Sequence, residues 1–147
     1  MTQVSFHFNA PNKLDYACRF IRKALRHEAH VTVVAPAQRL GQLSTKLWKY
    51  AGHEFLAHAV QGDDAQVLAL SPTVLVESAR LSPKCEVLLN LGEDIPDGFA
   101  SFSKVVEVVS SFDEQDRAQA RARWRYYQSA GYAIERFDLV LKGGTDG

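Results

Sequence analysis

Apolar residues recur along this chain either at every second position or at every third to fourth, and each spacing dictates an element. Val4-Ser-Phe-His-Phe8 alternates apolar and polar side chains, the period of a strand with one buried face. A turn from Asn9 to Asn12 carries Pro11, and Leu14, Ala17, Cys18, Ile21 and Leu25 then recur at helical spacing. Arg19, Arg22, Lys23 and Arg26 fall on the other side of that helix, and Asn12 suits its N-cap. Val31-Thr-Val-Val-Ala35, closed by Pro36, reads as a buried parallel strand. Strand, helix and strand then form a βαβ unit with a right-handed crossover. A second helix places Leu40, Leu43 and Leu47 on one face, with Gly52 as its stop.

Phe55-Leu-Ala-His58 is predicted as the next short strand, followed by a polar turn over residues 61–65. Two apolar runs flank Pro72, Val67 to Leu70 and Thr73 to Val76, and the second has the better claim to the sheet. Cys85 to Leu91 and Lys104 to Val109 read as further buried strands. Ser111 and Glu114 fit a capping box, which opens a long helix that Gly131 ends. Phe137, Leu139, Val140 and Leu141 suggest a final short packed segment. This alternation predicts an α/β fold, a Rossmann-like three-layer sandwich with a mostly parallel sheet. It should form one domain over residues 1–142, with 143–147 a disordered tail.

Composition narrows the function. Seventeen basic residues balance seventeen acidic ones, so no global field exists to hold nucleic acid through bulk charge, and anion recognition must be local. Sequence-specific nucleic-acid binding is not expected. The two cysteines, Cys18 and Cys85, have no CxxC spacing and read as reduced core or near-core thiols. The first residues lack the pattern of a signal peptide, and no stretch approaches the roughly 20 apolar residues that cross a bilayer. The expectation is a soluble cytoplasmic protein with no membrane contact.

Catalytic and cofactor motifs are not found. The first βα turn, Phe8-Asn-Ala-Pro-Asn-Lys13, has neither GxGxxG nor GxxxxGK[ST], and Pro11 removes a backbone N–H that a phosphate would need. A nucleotide-binding loop is therefore not expected. His53-Glu54 and His58 miss the HExxH spacing, since residues five apart on a strand face opposite ways. His27 and His30 read as a solvated helix end, Asp63 and Asp64 as a solvated turn, and GxSxG is absent. No catalytic residue, cofactor or metal is expected. The alternative is a small α/β nucleotide-binding protein or enzyme with an unrecognised site.

What the last helix does carry is concentrated charge. Residues 117–127 hold four arginines and three aromatics in a chain of zero formal net charge. Arg117, Arg121 and Arg125 recur at i, i+4 and i+8 and form one cationic stripe, with Trp124 beside it. Such a surface suits an acidic, aromatic-ended peptide or a nucleic-acid backbone. A solvated face paired with nearby acids is the plainer alternative. Ala120, Trp124 and Tyr127 also form a helical stripe, which leaves open whether Trp124 faces a ligand or the core.

Seven segments, in this order and spacing, resemble the chi subunits of the bacterial DNA polymerase III holoenzyme. They are Phe6-His-Phe8, Ala17 to Ala24, Leu43-Ser-Thr-Lys-Leu-Trp48, Phe55-Leu-Ala-His58, Val87 to Leu91, Phe99 to Val109, and Ala120 to Tyr132. The resemblance covers most of the chain, and its last segment is the most specific. Ser44 and Ala57 depart from it, where the family tends to carry an acid and a proline.

The resemblance implies a non-catalytic adaptor. Chi proteins link the clamp-loader complex to single-stranded-DNA-binding protein by gripping its acidic C-terminal tail, which ends in phenylalanine. In some bacteria a psi subunit tethers chi to the clamp loader. Carried onto this chain, the tail-binding basic residues are Arg117, Arg121 and Arg125, with Trp124 and Phe112 as the aromatic and apolar walls. Arg121, the central member, suits the terminal carboxylate through a bidentate contact, and Arg117 and Arg125 suit the preceding aspartates. Trp48 and Phe55 belong either to a second partner-facing patch or to the core.

Overall fold

A computed structural model describes residues 2–50 and 56–140. In chain order the elements are β1 (Gln3–Ala10), α1 (Lys13–Arg26), β2 (Val31–Val34), α2 (Ala37–Trp48), β3 (Ala59–Val60) and α3 (Ala65–Leu70). They continue with β4 (Thr73–Val76), β5 (Val87–Asn90), β6 (Lys104–Ser110), α4 (Glu114–Ser129) and β7 (Ile134–Asp138). The strands form one seven-stranded sheet in the order β3-β4-β2-β5-β6-β1-β7, and all its pairings are parallel.

The layers follow from the direction in which the chain crosses the sheet. Going from β1 to β2 and on to β3, it steps one way and lays α1 and α2 against one face. There Ala17, Cys18, Ile21, Leu40, Leu43 and Leu47 pack on Val31, Val33, Leu75 and Val106. Stepping back through β4, β5 and β6 to β7, it lays α3 and α4 on the other face. There Leu68, Ala120 and Tyr127 pack with Val4, Phe6, Val74, Leu88 and Val105. Right-handed crossovers require this, since reversing direction reverses the covered face. The result is the three-layer α/β sandwich that the alternation of elements implies.

Several local expectations are corrected. β1 and β2 are not neighbours, because β6 and β5 lie between them. Of the two apolar runs flanking Pro72, the one with the better claim to the sheet, Thr73 to Val76, is the strand, and Val67 to Leu70 is helical: the Asp64 side chain accepts from the Gln66 N–H and caps it, and Pro72 follows its end. Residues 56–58 form no strand, and the short β3 begins at Ala59, while Phe55 and Gly52 lie outside the described residues. The α2 helix closes at Lys49, whose N–H reaches the Lys46 carbonyl. Cys18 is buried but Cys85 is exposed, because it precedes β5 and only its backbone is engaged, accepting from the Ser103 N–H. The segment 143–147 lies outside the described residues.

Candidate functional site

The long helix α4 starts on Asp113, not on Ser111. The Asp113 carboxylate accepts from the N–H groups of Gln115 and Asp116, and Glu114 and Asp116 add negative charge at the positive end of the helix dipole. Ser111 instead donates its hydroxyl to the Ala10 carbonyl and ties the helix entrance to β1. At the other end Gly131, at φ +90°, closes a Schellman motif: Tyr132 N–H reaches the Tyr127 carbonyl and Gly131 N–H that of Gln128. Both ends are thus set locally, which fixes where each side chain of the helix points.

One turn-to-turn stripe, Asp116, Ala120, Arg123 and Tyr127, is buried. Arg123, counted above in the cationic cluster, is therefore not on the surface; it is 2 % exposed. Its Nε lies 2.9 Å from Oε1 of Glu107, a residue of β6 that is 0 % exposed. Tyr127 donates to the other Glu107 oxygen at 2.7 Å, and Asn90 Nδ2 lies 3.0 Å from both. Burial first, then the Glu107 charge, push the Tyr127 phenol far above its ordinary range, so it remains a donor. Asp116 receives Lys13 at 2.9 Å and the Ser110 N–H at 2.8 Å. Burial lowers the Lys13 pKa against the opposing pull of Asp116. These contacts tie α4 to β6 and to the start of α1.

The opposite flank of α4 borders a cleft of about 570 Å³. Its origin is topological. The crossover from β6 to β7 must pass β1, and α4 packs chiefly over β6, which leaves a cleft between the helix and the upper ends of β1 and β7. Strand alternation puts Phe6 and Phe8 of β1 on this face, while His7 turns to Tyr16 and Phe20 of α1. With Val109 of β6 and Ala120 of α4 they form an apolar floor. Trp124 is half-buried, its ring 5.0 Å from that of Phe6, and it lines the cleft as well. It belongs to core and cleft at once.

Arg117, Arg121 and Arg125 all line this cleft, as does Arg136 of β7. Arg117 is partly committed, with Nη1 3.3 Å from Asn9 Oδ1 and 3.4 Å from the Ser110 carbonyl, and Nε 3.8 Å from Glu114. Asn9 itself sits at φ +69°, in a bulge that adds one residue to β1 opposite β6. Arg121 and Arg125 are exposed, and among the described residues neither has an acidic partner. Among the described residues, none lining the cleft is acidic.

Phe112 stands 77 % exposed and outside the lining, so the apolar wall assigned to it is supplied by β1. Trp48 is 61 % exposed at the end of α2, its ring 6.1 Å from that of His58, which removes it from the core. His58 itself is held by Ser44 and by the Leu56 carbonyl. Among the described residues no group of three His, Cys, Asp or Glu could hold a metal. No described helix is long and apolar enough to cross a membrane. Missed from sequence were Arg136, Asn9, and the phenylalanines of the floor. Ile134 packs into the core beneath α4, and alternation along β7 puts Arg136 on the same face. That β7 lies beside β1 is visible only in the assembled sheet.

Comparison with known proteins bears on this arrangement. The family whose model matches the chain is described as DNA polymerase III chi subunit, HolC, and the match runs over residues 1–135. The chain belongs to the chi subunit family. The DNA polymerase III subunit chi of Pseudomonas aeruginosa is 28 % identical over 141 residues, covering 92 % of this chain and 95 % of that protein. That of Haemophilus influenzae is 28 % identical over 125 residues, covering 82 % of this chain and 83 % of the relative. The family match includes α4 and the first residues of β7 and ends at residue 135, just short of Arg136.

Proposed function

We propose that this chain is a non-catalytic adaptor of the bacterial replicase. It grips the acidic C-terminal tail of single-stranded-DNA-binding protein in the cleft beside α4 and links it to the clamp-loader complex. Membership of the chi family supports the replicase setting. The observation that carries the site is the pair Arg121 and Arg125, exposed and, among the described residues, without acidic partners, beside an apolar floor with Trp124 at its edge. Cations spent on internal ion pairs would make a solvated face; these two are not spent. An aromatic side chain fits the floor, and carboxylates fit the arginines.

Magnitudes make the grip weak. Burying one phenylalanine contributes roughly 1.5–3 kcal/mol, exposed ion pairs about 0.2–1 kcal/mol each, and ordering a flexible tail offsets part of this. Affinity on the order of micromolar or weaker follows, and several tails on one oligomeric partner raise the effective concentration. Trp48, exposed at the far end of α2, marks the second surface, for a psi subunit or its equivalent on the clamp-loader side.

The test is titration of a synthetic acidic peptide ending in Asp-Phe. Binding should weaken as salt rises, and Arg121→Ala should lose most of it; an Arg121→Ala protein that binds like the parent sinks the assignment. Oligo-dT competing with the peptide would point instead to single-stranded DNA in the cleft. Thermal stabilisation by ATP, NAD or a metal ion, with none by the peptide, would favour the enzyme alternative.

A further inference from the structure

On the other face of the sheet a second cleft, of about 430 Å³, runs between α1 and α2. Asp15 and Arg19 of α1 line one side of it, and Lys46, Lys49 and Tyr50 line the other. Ser44 and Trp48 leave α2 on a different flank, toward His58, so this cleft is separate from the surface that Trp48 marks. Charge is concentrated here. Residues 13–26 and 37–49 carry eight of the seventeen basic side chains and one of the seventeen acidic ones, Asp15. Lys13 is spent on Asp116 and Arg39 on the Leu91 carbonyl, while Asp15 takes Lys46 at 2.8 Å. Arg19 and Lys49 have no acidic partner among the described residues.

Folding alone gives no reason for this grouping. Arg19 with Lys23, and Arg22 with Arg26, are like-charged pairs four residues apart, which weaken α1. The helix dipole favours Lys23 and Arg26 in the last turn, but not Arg19 in the middle of the helix. A bound polyanion would relieve the repulsion. Acids elsewhere in the chain are screened over about 10 Å at 0.1 M salt, so zero net charge does not cancel the patch. Aromatic rings stand among these cations: the guanidinium carbons of Arg19 and Arg22 lie 5.7 Å from the ring centroids of Tyr16 and Tyr50. Cations interleaved with rings suit a strand that offers both phosphates and unpaired bases. A duplex offers the phosphates but keeps its bases stacked inside.

We propose that the α1–α2 face holds the backbone of single-stranded DNA without reading its sequence. Arg19, Lys46 and Lys49 meet phosphates, and Tyr50 offers its ring to a base. In the replicase setting proposed above such a strand is at hand, and the site lies across the sheet from the cleft beside α4.

The experiment titrates fluorescein-labelled oligo-dT of about ten nucleotides against the full chain, by anisotropy over a salt series. The variants are Asp15→Asn and the double variant Arg19→Ala with Lys49→Ala, each checked for folding by thermal melting. For the parent, log affinity against log salt should fall with a slope of about −2, the value for about three phosphate contacts to a single strand. The double variant should bind about tenfold more weakly at low salt and flatten the slope by about 1.4. Asp15→Asn, which releases Lys46, should tighten binding and steepen the slope. The acidic Asp-Phe peptide should not compete. If the parent does not bind oligo-dT, or both variants keep its affinity and slope, the proposal is wrong while the peptide site stands. Competition by the Asp-Phe peptide would put the DNA in the other cleft, and equal competition by poly-glutamate would make this face one for acidic protein; either result overturns the proposal.

Discussion

Arg123 and Arg121 lie two residues apart on one helix, yet replacing each should have opposite consequences. Arg123→Met removes the partner of Glu107, which is 0 % exposed and lies 2.9 Å from Arg123 Nε. What remains is a buried carboxylate with only neutral donors, from Tyr127 and Asn90. Removing one member of a buried pair costs about 3–5 kcal/mol. At roughly 2–4 °C per kcal/mol for a domain near this size, the melting temperature should fall by roughly 6–20 °C. Adding Glu107→Gln should recover part of the loss, because the amide oxygen still accepts from Tyr127 while the unpaired charge is gone. Arg121→Met, on the exposed face, should stay within about 0.5 kcal/mol of the parent. Urea denaturation followed by circular dichroism reads all three. A loss below about 1 kcal/mol for Arg123→Met, the scale of an exposed pair, would show that Glu107 and Arg123 do not form a buried ion pair.

Capping gives a second contrast: Asp113→Ala should destabilise by about 1 kcal/mol, and Ser111→Ala by less, measured in the same urea titration. Cysteine chemistry gives a third. Burial pushes the Cys18 thiol up to about 11, so a thiol reagent near neutral pH should label Cys85 in the folded protein and Cys18 only after unfolding. The same shift has a sign for stability. Between the ordinary value of 9.0 and about 11 the unfolded thiol ionises while the folded one does not, so stability falls as pH rises through that window. Cys18→Ala should remove that part of the fall. Finally, Arg117 is partly held by Asn9, Ser110 and Glu114, so Arg117→Ala should weaken peptide binding less than Arg125→Ala, and a salt titration should show the smaller change in slope.

The amino-acid sequence by itself determined the elements whose causes are local. The α1 helix is visible in the spacing of Ala17, Cys18 and Ile21 and in Asn12, whose side chain accepts from the Asp15 N–H as an N-cap does. Gly131 stops α4 because a left-handed residue is needed there. The β-branched runs around Val31, Thr73 and Lys104 became the strands of a parallel sheet, since their side chains pack on two covered faces. The stripe of Arg117, Arg121 and Arg125 was also legible, being a matter of helical spacing alone.

Tertiary structure decided the rest. Arg123 looks like one more surface cation until Glu107 appears across the interface between α4 and β6, although an acid inside Lys104-Val-Val-Glu-Val-Val109 was a signal that buried partners for a carboxyl group were needed. Strand order is set by which faces can be buried together, and hydrophobic periodicity carries no label for a strand's neighbour. That is why Arg136, beyond the last helix and in no motif, could not be assigned to the cleft from the sequence. It arrives there only because β7 returns to pair with β1, after a crossover that leaves a cleft between α4 and these two strands.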